Sequence, residues 1–329
     1  MKPGLDFIVC GIPRSGTTFF AQALNGHPDV YCHWTETGLF RYLAMLGQGR
    51  ALRPEHVETI RPWLRSELAT TFIDVPTDPR VMGTARVREF LRLLDEYKLQ
   101  EPAGPGYRIL DQAALDGLVA DVLELTRTGL GDAPLFAAGN ALLGRLIRSR
   151  TRRPIVGEKT PDHALLMPLL AAACPEVLLL ALVREPYATI HSMIRESNTG
   201  DQPWHRAFSS NFLACLGEYA QYLKAVLAAA AISPPPRLHL IRYEDFLEQP
   251  DKVMARTFEL LGAPPSEAAL EFVRQMVLPT PSKSFEDMGF TAAHATLVDL
   301  VVGAALPVVG YSDAFYSQAG QSIPREPVG

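Results

Sequence analysis

Near-continuous apolar runs alternate along this chain with stretches of helical spacing. Residues 177–183 (VLLLALV) and 238–241 (LHLI) are such runs, and residues 155–156 form a shorter one. Residues 5–10 (LDFIVC) are a short run rich in strand formers that ends at Gly11. Runs without polar alternation suit parallel strands covered on both faces. Helical patterning fills the gaps, at about residues 17–25, 163–173, 187–196, 204–231 and 251–261. The alternation predicts an α/β fold built on a doubly wound parallel sheet. The longest apolar stretch, residues 165–183, is interrupted by Pro168, Pro175 and Glu176. It reads as a helix, a turn at Cys174-Pro175 and a buried strand rather than a membrane span.

Residues of about 50–153 break that rhythm. They read as amphipathic helices, at about 55–71, 85–97, 111–128 and 135–150, separated by Pro/Gly-rich joints at 75–79 and 101–106. No strand and no internal repeat is visible there. The expectation is one domain over residues 1–329 with a helical insert at about 50–153. Pro234-Pro235-Pro236 is a stiff connector, and residues 312–329 are polar and turn-rich.

Composition changes this picture little. At 329 residues, 47% hydrophobic and 20% charged, the chain has an ordinary soluble composition with enough length for a large core. Its net charge of −5 argues against a nucleic-acid partner, yet leaves room for an anionic small ligand held by local arginines. Cys10, Cys32, Cys174 and Cys215 are scattered, form no CxxC and read as small core residues in a reducing compartment. The first turn signal, Gly11, follows a short run containing Asp6, so no secretory leader is expected. Those readings predict a cytoplasmic protein with no membrane partner.

The first chemical signal is the octapeptide from Gly11 to Thr18, GIPRSGTT, between a strand and a helix. Glycines at this spacing let backbone N–H groups turn onto phosphate oxygens, and the helix start adds its positive end. A Walker A loop has lysine where this chain has Thr17; the fixed cation in the loop is Arg14 instead. The loop therefore suits a phosphate without a long triphosphate chain, and no metal is expected. Arg184 ends the strand of residues 177–183, where doubly wound sheets bind ligands, and Ser192 follows about two helical turns on. Lys159, in Gly157-Glu-Lys-Thr-Pro161, sits at another strand end, with Thr160 placed to cap the next helix and Pro161 at its first position. On the residues alone Arg184, Ser192 and Lys159 could all be ordinary surface groups.

The segment from Phe7 to Thr37, FIVCGIPRSGTTFFAQALNGHPDVYCHWTET, resembles the start of sulfotransferases that use 3′-phosphoadenosine 5′-phosphosulfate (PAPS), most of all tyrosylprotein sulfotransferases and their bacterial relatives. The resemblance extends over about residues 157–262 and fades beyond 276. It implies a P-loop-type fold and a PAPS donor with no metal. It gives Arg14, Ser15, Gly16, Thr17 and Thr18 the 5′-phosphosulfate, Arg184 and Ser192 the 3′-phosphate, and Lys159 the transferring sulfuryl group. Tyr243, in Ile241-Arg-Tyr-Glu-Asp-Phe246, would contact the 3′-phosphate region, or serve as a partly buried structural tyrosine. Arg195 stands one position out of register with a further basic residue of the family. Ser282-Lys283-Ser284 is the nearest counterpart to its late nucleotide-closing loop. The general base that a hydroxyl acceptor requires is Glu36, with His33 as the alternative because one residue is inserted after the His-Pro turn. Trp34 and Phe40 are candidates for dry walls that would raise the Glu36 pKa. The expected reaction moves a sulfuryl group to a phenol or alcohol, on a small molecule or a peptide tyrosine. An ATP-using P-loop phosphotransferase and a nucleotide-binding module without turnover remain as alternatives.

Overall fold

The computed structural model describes residues 3–47, 51–72, 109–198, 209–232, 237–276, 285 and 287–311. Expectations for residues 75–79, 85–97, 101–106, 234–236, 282–284 and 312–329 lie outside these.

Five parallel strands form one sheet: β1 (Phe7–Gly11), β2 (Val30–His33), β3 (Ile155–Lys159), β4 (Leu178–Val183) and β5 (Leu238–Arg242), in the order β2-β3-β1-β4-β5. β1 lies in the centre, with Phe7 in register with both Gly157 and Leu178. All five residues of β1 and all six of β4 are buried, as expected of strands covered on both faces. The chain crosses from one side of β1 to the other between β3 and β4. That crossover makes the C-terminal ends of β1, β3 and β4 the switch point at which such sheets bind ligands.

Alternate strand residues feed two cores. Phe7, Val9, Leu180 and Leu182 face a cluster closed by α1 (Thr17–Leu24) and by Phe246, Phe258 and Phe272 of later helices. Ile8, Cys10, Leu179 and Ala181 face the larger cluster. It is closed by α2 (Leu39–Gly47), α3 (Pro54–Phe72), α4 (Gln112–Arg127), α5 (Asp132–Thr151), α6 (Met167–Ala173), α7 (Pro186–Asn198) and α8 (Phe212–Ile232). α3 to α5 correspond to three of the helices expected at 50–153, and their apolar faces share the core of the sheet. Gly144 shows how closely α5 packs on it: a Cβ there would stand 2.1 Å from the Gly4 carbonyl carbon.

After β5 come α9 (Tyr243–Glu248), α10 (Pro250–Leu261), α11 (Glu267–Met276) and α12 (Ala292–Val302), then a 3-10 segment, Gly303–Val309. The stretch Ala292–Val309 has a mean hydropathy of 1.8 with 22% of it buried, apolar enough by length and composition to cross a membrane. It also carries Asp299 and is broken at the change from α to 3-10 helix. The segment after β3 is likewise a 3-10 turn over Pro161–Leu166 before α6 becomes α-helical. The four cysteines are buried and free.

Candidate active site

Three backbone angles shape the loop between β1 and α1. Gly11 has φ 149°, and a Cβ there would stand 2.2 Å from the Leu182 carbonyl oxygen of β4. Gly16 has φ 86°, with the Tyr243 ring 2.4 Å from the Cβ it lacks. Arg14, which has no such licence, also sits at φ 67°. A left-handed non-glycine residue costs about 1–2 kcal/mol, and strain of this kind collects at functional loops. Ile12 N–H donates to Leu182 O (3.1 Å), as does the Ser15 hydroxyl (3.2 Å), so the loop is pinned to β4. α1 starts with no side-chain cap at Gly16 and no acidic residue in its first turn, which leaves its positive end uncancelled. Thr17 is buried and Thr18 half-buried in that turn.

The loop and the β4–α7 junction form one cationic cluster. Arg14 Nε donates to Ser192 Oγ (3.2 Å), and its NH2 group pairs with Glu196 (2.9 Å). Arg184 NH1 donates to the Arg14 carbonyl (3.0 Å), while its guanidinium lies 4.7 Å from the centroid of the Tyr243 ring. Tyr219 OH donates to the Arg184 carbonyl (2.9 Å). Burial pulls Arg14 below its ordinary pKa; Glu196 opposes this, and Arg184 and Arg195 add to it. Arg195 itself is exposed on α7.

On the other side of β1, Lys159 ends β3 with its side chain only 3% exposed, and its Nζ donates to Glu36 Oε1 at 3.1 Å. The Glu36 carboxylate is 56% exposed, and its backbone carbonyl accepts a bond from Thr71 Oγ1 (2.9 Å). Beneath the pair lies Glu158, fully buried. Its Oε2 accepts from Thr37 Oγ1 (3.0 Å) and Thr160 Oγ1 (2.8 Å), and its Oε1 from His163 Nδ1 (2.7 Å). Burial pushes this carboxyl up, but His163 and the two hydroxyls outweigh it and hold it below the usual range.

Three expectations change here. His33 is the last residue of β2 and is buried, stacked on Phe72 at 4.7 Å. The Thr35 hydroxyl donates to Thr71 O, so the contact of His33 Nε2 with Thr35 Oγ1 (2.7 Å) makes that nitrogen the donor, while Nδ1 faces Tyr31 OH at 3.4 Å. Burial pushes His33 down to about 4, with Glu158 opposing. A buried imidazole with both nitrogens engaged has no free nitrogen for an acceptor. Glu36 does not sit in a dry pocket: its side chain is largely exposed, while Trp34 and Phe40 are buried, Phe40 against Phe136 and His163. Thr160 does not cap the following turn, because its hydroxyl goes to Glu158.

Residues 6–267 match the Sulfotransferase family. The chain belongs to that family. Curated relatives include the omega-hydroxy-beta-dihydromenaquinone-9 sulfotransferase Stf3 of Mycobacterium tuberculosis, 22% identical over 166 residues. That match covers 49% of this chain and 42% of the relative, so less than half of the relative's length is spanned. Among solved structures, sulfotransferase STF9 from Mycobacterium avium has a TM-score of 0.51 at 16% identity, covering 95% of this chain and 78% of that one. The sulfotransferase domain of the Synechococcus PCC 7002 olefin synthase has a TM-score of 0.50 at 17% identity, with 94% of each chain covered. These likenesses place the sheet and its helices in the sulfotransferase fold.

The loop and its surroundings gather groups whose chemistry suits an oxyanion. Two guanidiniums, a buried ammonium, a serine hydroxyl and an uncapped helix start converge on the C-terminal ends of β1, β3 and β4. The cradle is closed enough that a methyl group at Gly16 would strike Tyr243. Among the described residues no group of three or more His, Cys, Asp or Glu side chains is arranged to hold a metal ion. Sequence reasoning missed Glu196 and Glu158. Glu196 lies four residues after Ser192, the spacing of one helical face. Glu158 is a charge inside a strand buried on both faces, where a carboxylate needs partners.

Proposed function

We propose that this protein transfers a sulfuryl group from PAPS to a hydroxyl acceptor, with Glu36 as general base. The observation that carries this reading is the contact of Glu36 with Lys159, 3.1 Å, beside the phosphate loop at the switch point of the sheet. A carboxylate and a fixed cation are then available within one hydrogen bond of each other. PAPS supplies an activated sulfuryl group on a phosphate leaving group. Glu36 accepts the acceptor's proton as the new oxygen–sulfur bond forms and the bond from sulfur to the 5′-phosphate oxygen breaks. Lys159 faces the charge on the sulfuryl oxygens. Arg14 and the loop N–H groups face the charge that builds on the leaving phosphate, where fixed donors stabilise most. Arg184 and Ser192 hold the 3′-phosphate, with Tyr243 packed under Arg184.

The acceptor is a phenol or an alcohol. The mycobacterial relative is named for an omega-hydroxy menaquinone derivative, an alcohol. The PRSGTT stretch resembles tyrosylprotein sulfotransferases, which act on a phenol. Both a small molecule and a peptide tyrosine fit this chemistry.

Calorimetric titration with adenosine 3′,5′-bisphosphate and with ADP, each with and without a chelator, tests the donor. The bisphosphate should bind more tightly, and the chelator should leave its binding unchanged. Arg184→Ala should weaken that binding by about 1.5–3 kcal/mol, the range for one hydrogen-bonded charged group. Preference for ADP together with a magnesium requirement would overturn the reading in favour of an ATP-using phosphotransferase.

A further inference from the structure

We propose that Glu158 is a positioning residue for the transfer step: its buried carboxylate ties the loop that carries Glu36 to the strand end that carries Lys159. This rests on the assignment of those two residues above. The connections are direct. Thr37, bonded to Glu158 Oε2, is the neighbour of Glu36, and Lys159 follows Glu158 in β3. Thr160, on the far side of Lys159, bonds to the same oxygen and accepts from Gly38 N–H at 3.5 Å. Thr37 Oγ1 in turn accepts from Leu39 N–H (3.3 Å), at the start of α2. Two hydroxyls that flank the two working residues thus converge on one carboxylate oxygen. His163 fixes the other oxygen from below.

A carboxylate at zero exposure is costly unless its lone pairs are satisfied, and here three donors satisfy it. An apolar residue would fill the space at less cost, so the fold alone gives no reason to bury a charge there. What the charge does supply is directional bonding. It sets the distance between a half-exposed glutamate on a loop and a buried lysine on a strand. Misplacing a reacting group by about 1 Å can cost about 10²-fold in rate.

The test uses the intact protein and four variants. Glu158→Gln keeps the shape and puts an NH₂ donor where one of three donors must be accepted. Thr37→Val removes one arm and leaves the carboxylate alone. Thr37→Ser and Thr160→Ser keep the hydroxyls. Glu158→Gln and Thr37→Val should lower kcat for sulfuryl transfer by about 10–10²-fold. The KM for PAPS and the affinity for adenosine 3′,5′-bisphosphate should stay within about threefold, and both serine variants should stay near wild type. Amide hydrogen exchange at Gly38 and Leu39 should speed up in Glu158→Gln and Thr37→Val only. A Thr37→Val variant that is folded, with wild-type kcat and unchanged exchange, overturns the proposal. So does a loss of bisphosphate affinity that matches the loss of rate, because that marks a general collapse of the site. If the wild-type protein transfers no sulfuryl group, the functional reading fails, and exchange at Gly38 and Leu39 still decides whether Glu158 couples the two segments.

Discussion

Two residues separated by three positions, His33 and Glu36, differ in what their surroundings let them do. His33 ends a strand and points into the core, where Phe72 covers its ring face. Glu36 stands past the strand end, half exposed, with Lys159 against it. Removing a general base typically costs about 10²–10⁴ in rate. Glu36→Gln should therefore lower single-turnover sulfation by that factor and leave bisphosphate affinity nearly unchanged. His33→Ala should do the reverse of what a lost base does: transfer per folded molecule stays near wild type, while a thermal melt shows a loss of about 2–4 kcal/mol for an emptied buried ring site. A dead His33→Ala enzyme of normal stability would reverse the assignment. Arg14 makes a similar point about geometry. Its fork reaches Ser192 and Glu196 at once. Arg14→Lys should recover only a small part of the kcat lost in Arg14→Ala, since a point charge cannot span both partners.

At the scale of elements, the start of α7 ties the cationic cluster to pH. Glu185, between Arg184 and Pro186, accepts from Tyr187 N–H (2.9 Å) and Ala188 N–H (2.6 Å) and so caps the helix that carries Ser192. Burial pushes its pKa up to about 7, the two N–H bonds opposing and Glu244 adding. In the unfolded chain a glutamate titrates near 4.3. Between those values the folded state holds a proton that the unfolded state lacks, so ν_U − ν_N is negative and this contribution falls as pH rises. It is fully present below about 4.3 and is lost by the time pH passes about 7, on the order of 4 kcal/mol in all. Urea melts of wild type and Glu185→Gln at pH 5 and pH 8 measure it: the variant should gain on wild type as pH rises. A difference that is the same at both pH values would rule it out.

The same elements separate what could be read in the sequence from what could not. β1 and β4 are unmistakable as apolar runs before glycine and arginine. β2, four residues with a tyrosine and a histidine in it, has no such signature and was not foreseen as a strand. Yet β2 bears directly on the proposed base. Its length determines that residue 33 points inward and that residue 36 clears the sheet, a register that a one-residue insertion leaves open in the sequence. The turn after Gly11 and the place of Arg184 were legible because both sit at punctuated strand ends. That Arg14 would bond Ser192, joining two stretches assigned to different phosphates, depends on how α7 folds back over the loop. No local pattern records that. Glu158 was hidden for the opposite reason: the sequence records its place beside Lys159 but not the two threonines that meet it, one of them 121 residues away in the chain.

Across the whole molecule, the site is braced from its last described residues. Tyr311 OH donates to Glu244 Oε2 (2.7 Å), whose Oε1 accepts from Glu185 N–H (3.0 Å). Arg242 lies over the Tyr311 ring at 4.7 Å and donates to the Gly310 carbonyl (2.9 Å). Tyr311→Phe should cost about 0.5–1.5 kcal/mol, because it removes one hydrogen bond from a half-buried carboxylate. Denaturant melts measure that, and an unchanged stability would mean that the brace is idle. The position of β1 has a further consequence, for synthesis. Of the five strands of this sheet the first to be synthesised is the middle one, and neither neighbour exists until Gly157 and Leu178 have been added. At about 5–20 residues per second, β1 waits roughly 7–30 s with both edges open. An unpaired apolar strand over that interval is a target for self-association and for the holdase chaperones that prevent it. Expression yield should therefore depend on chaperone supply and on translation speed through residues 12–157 more than on the stability of the finished fold.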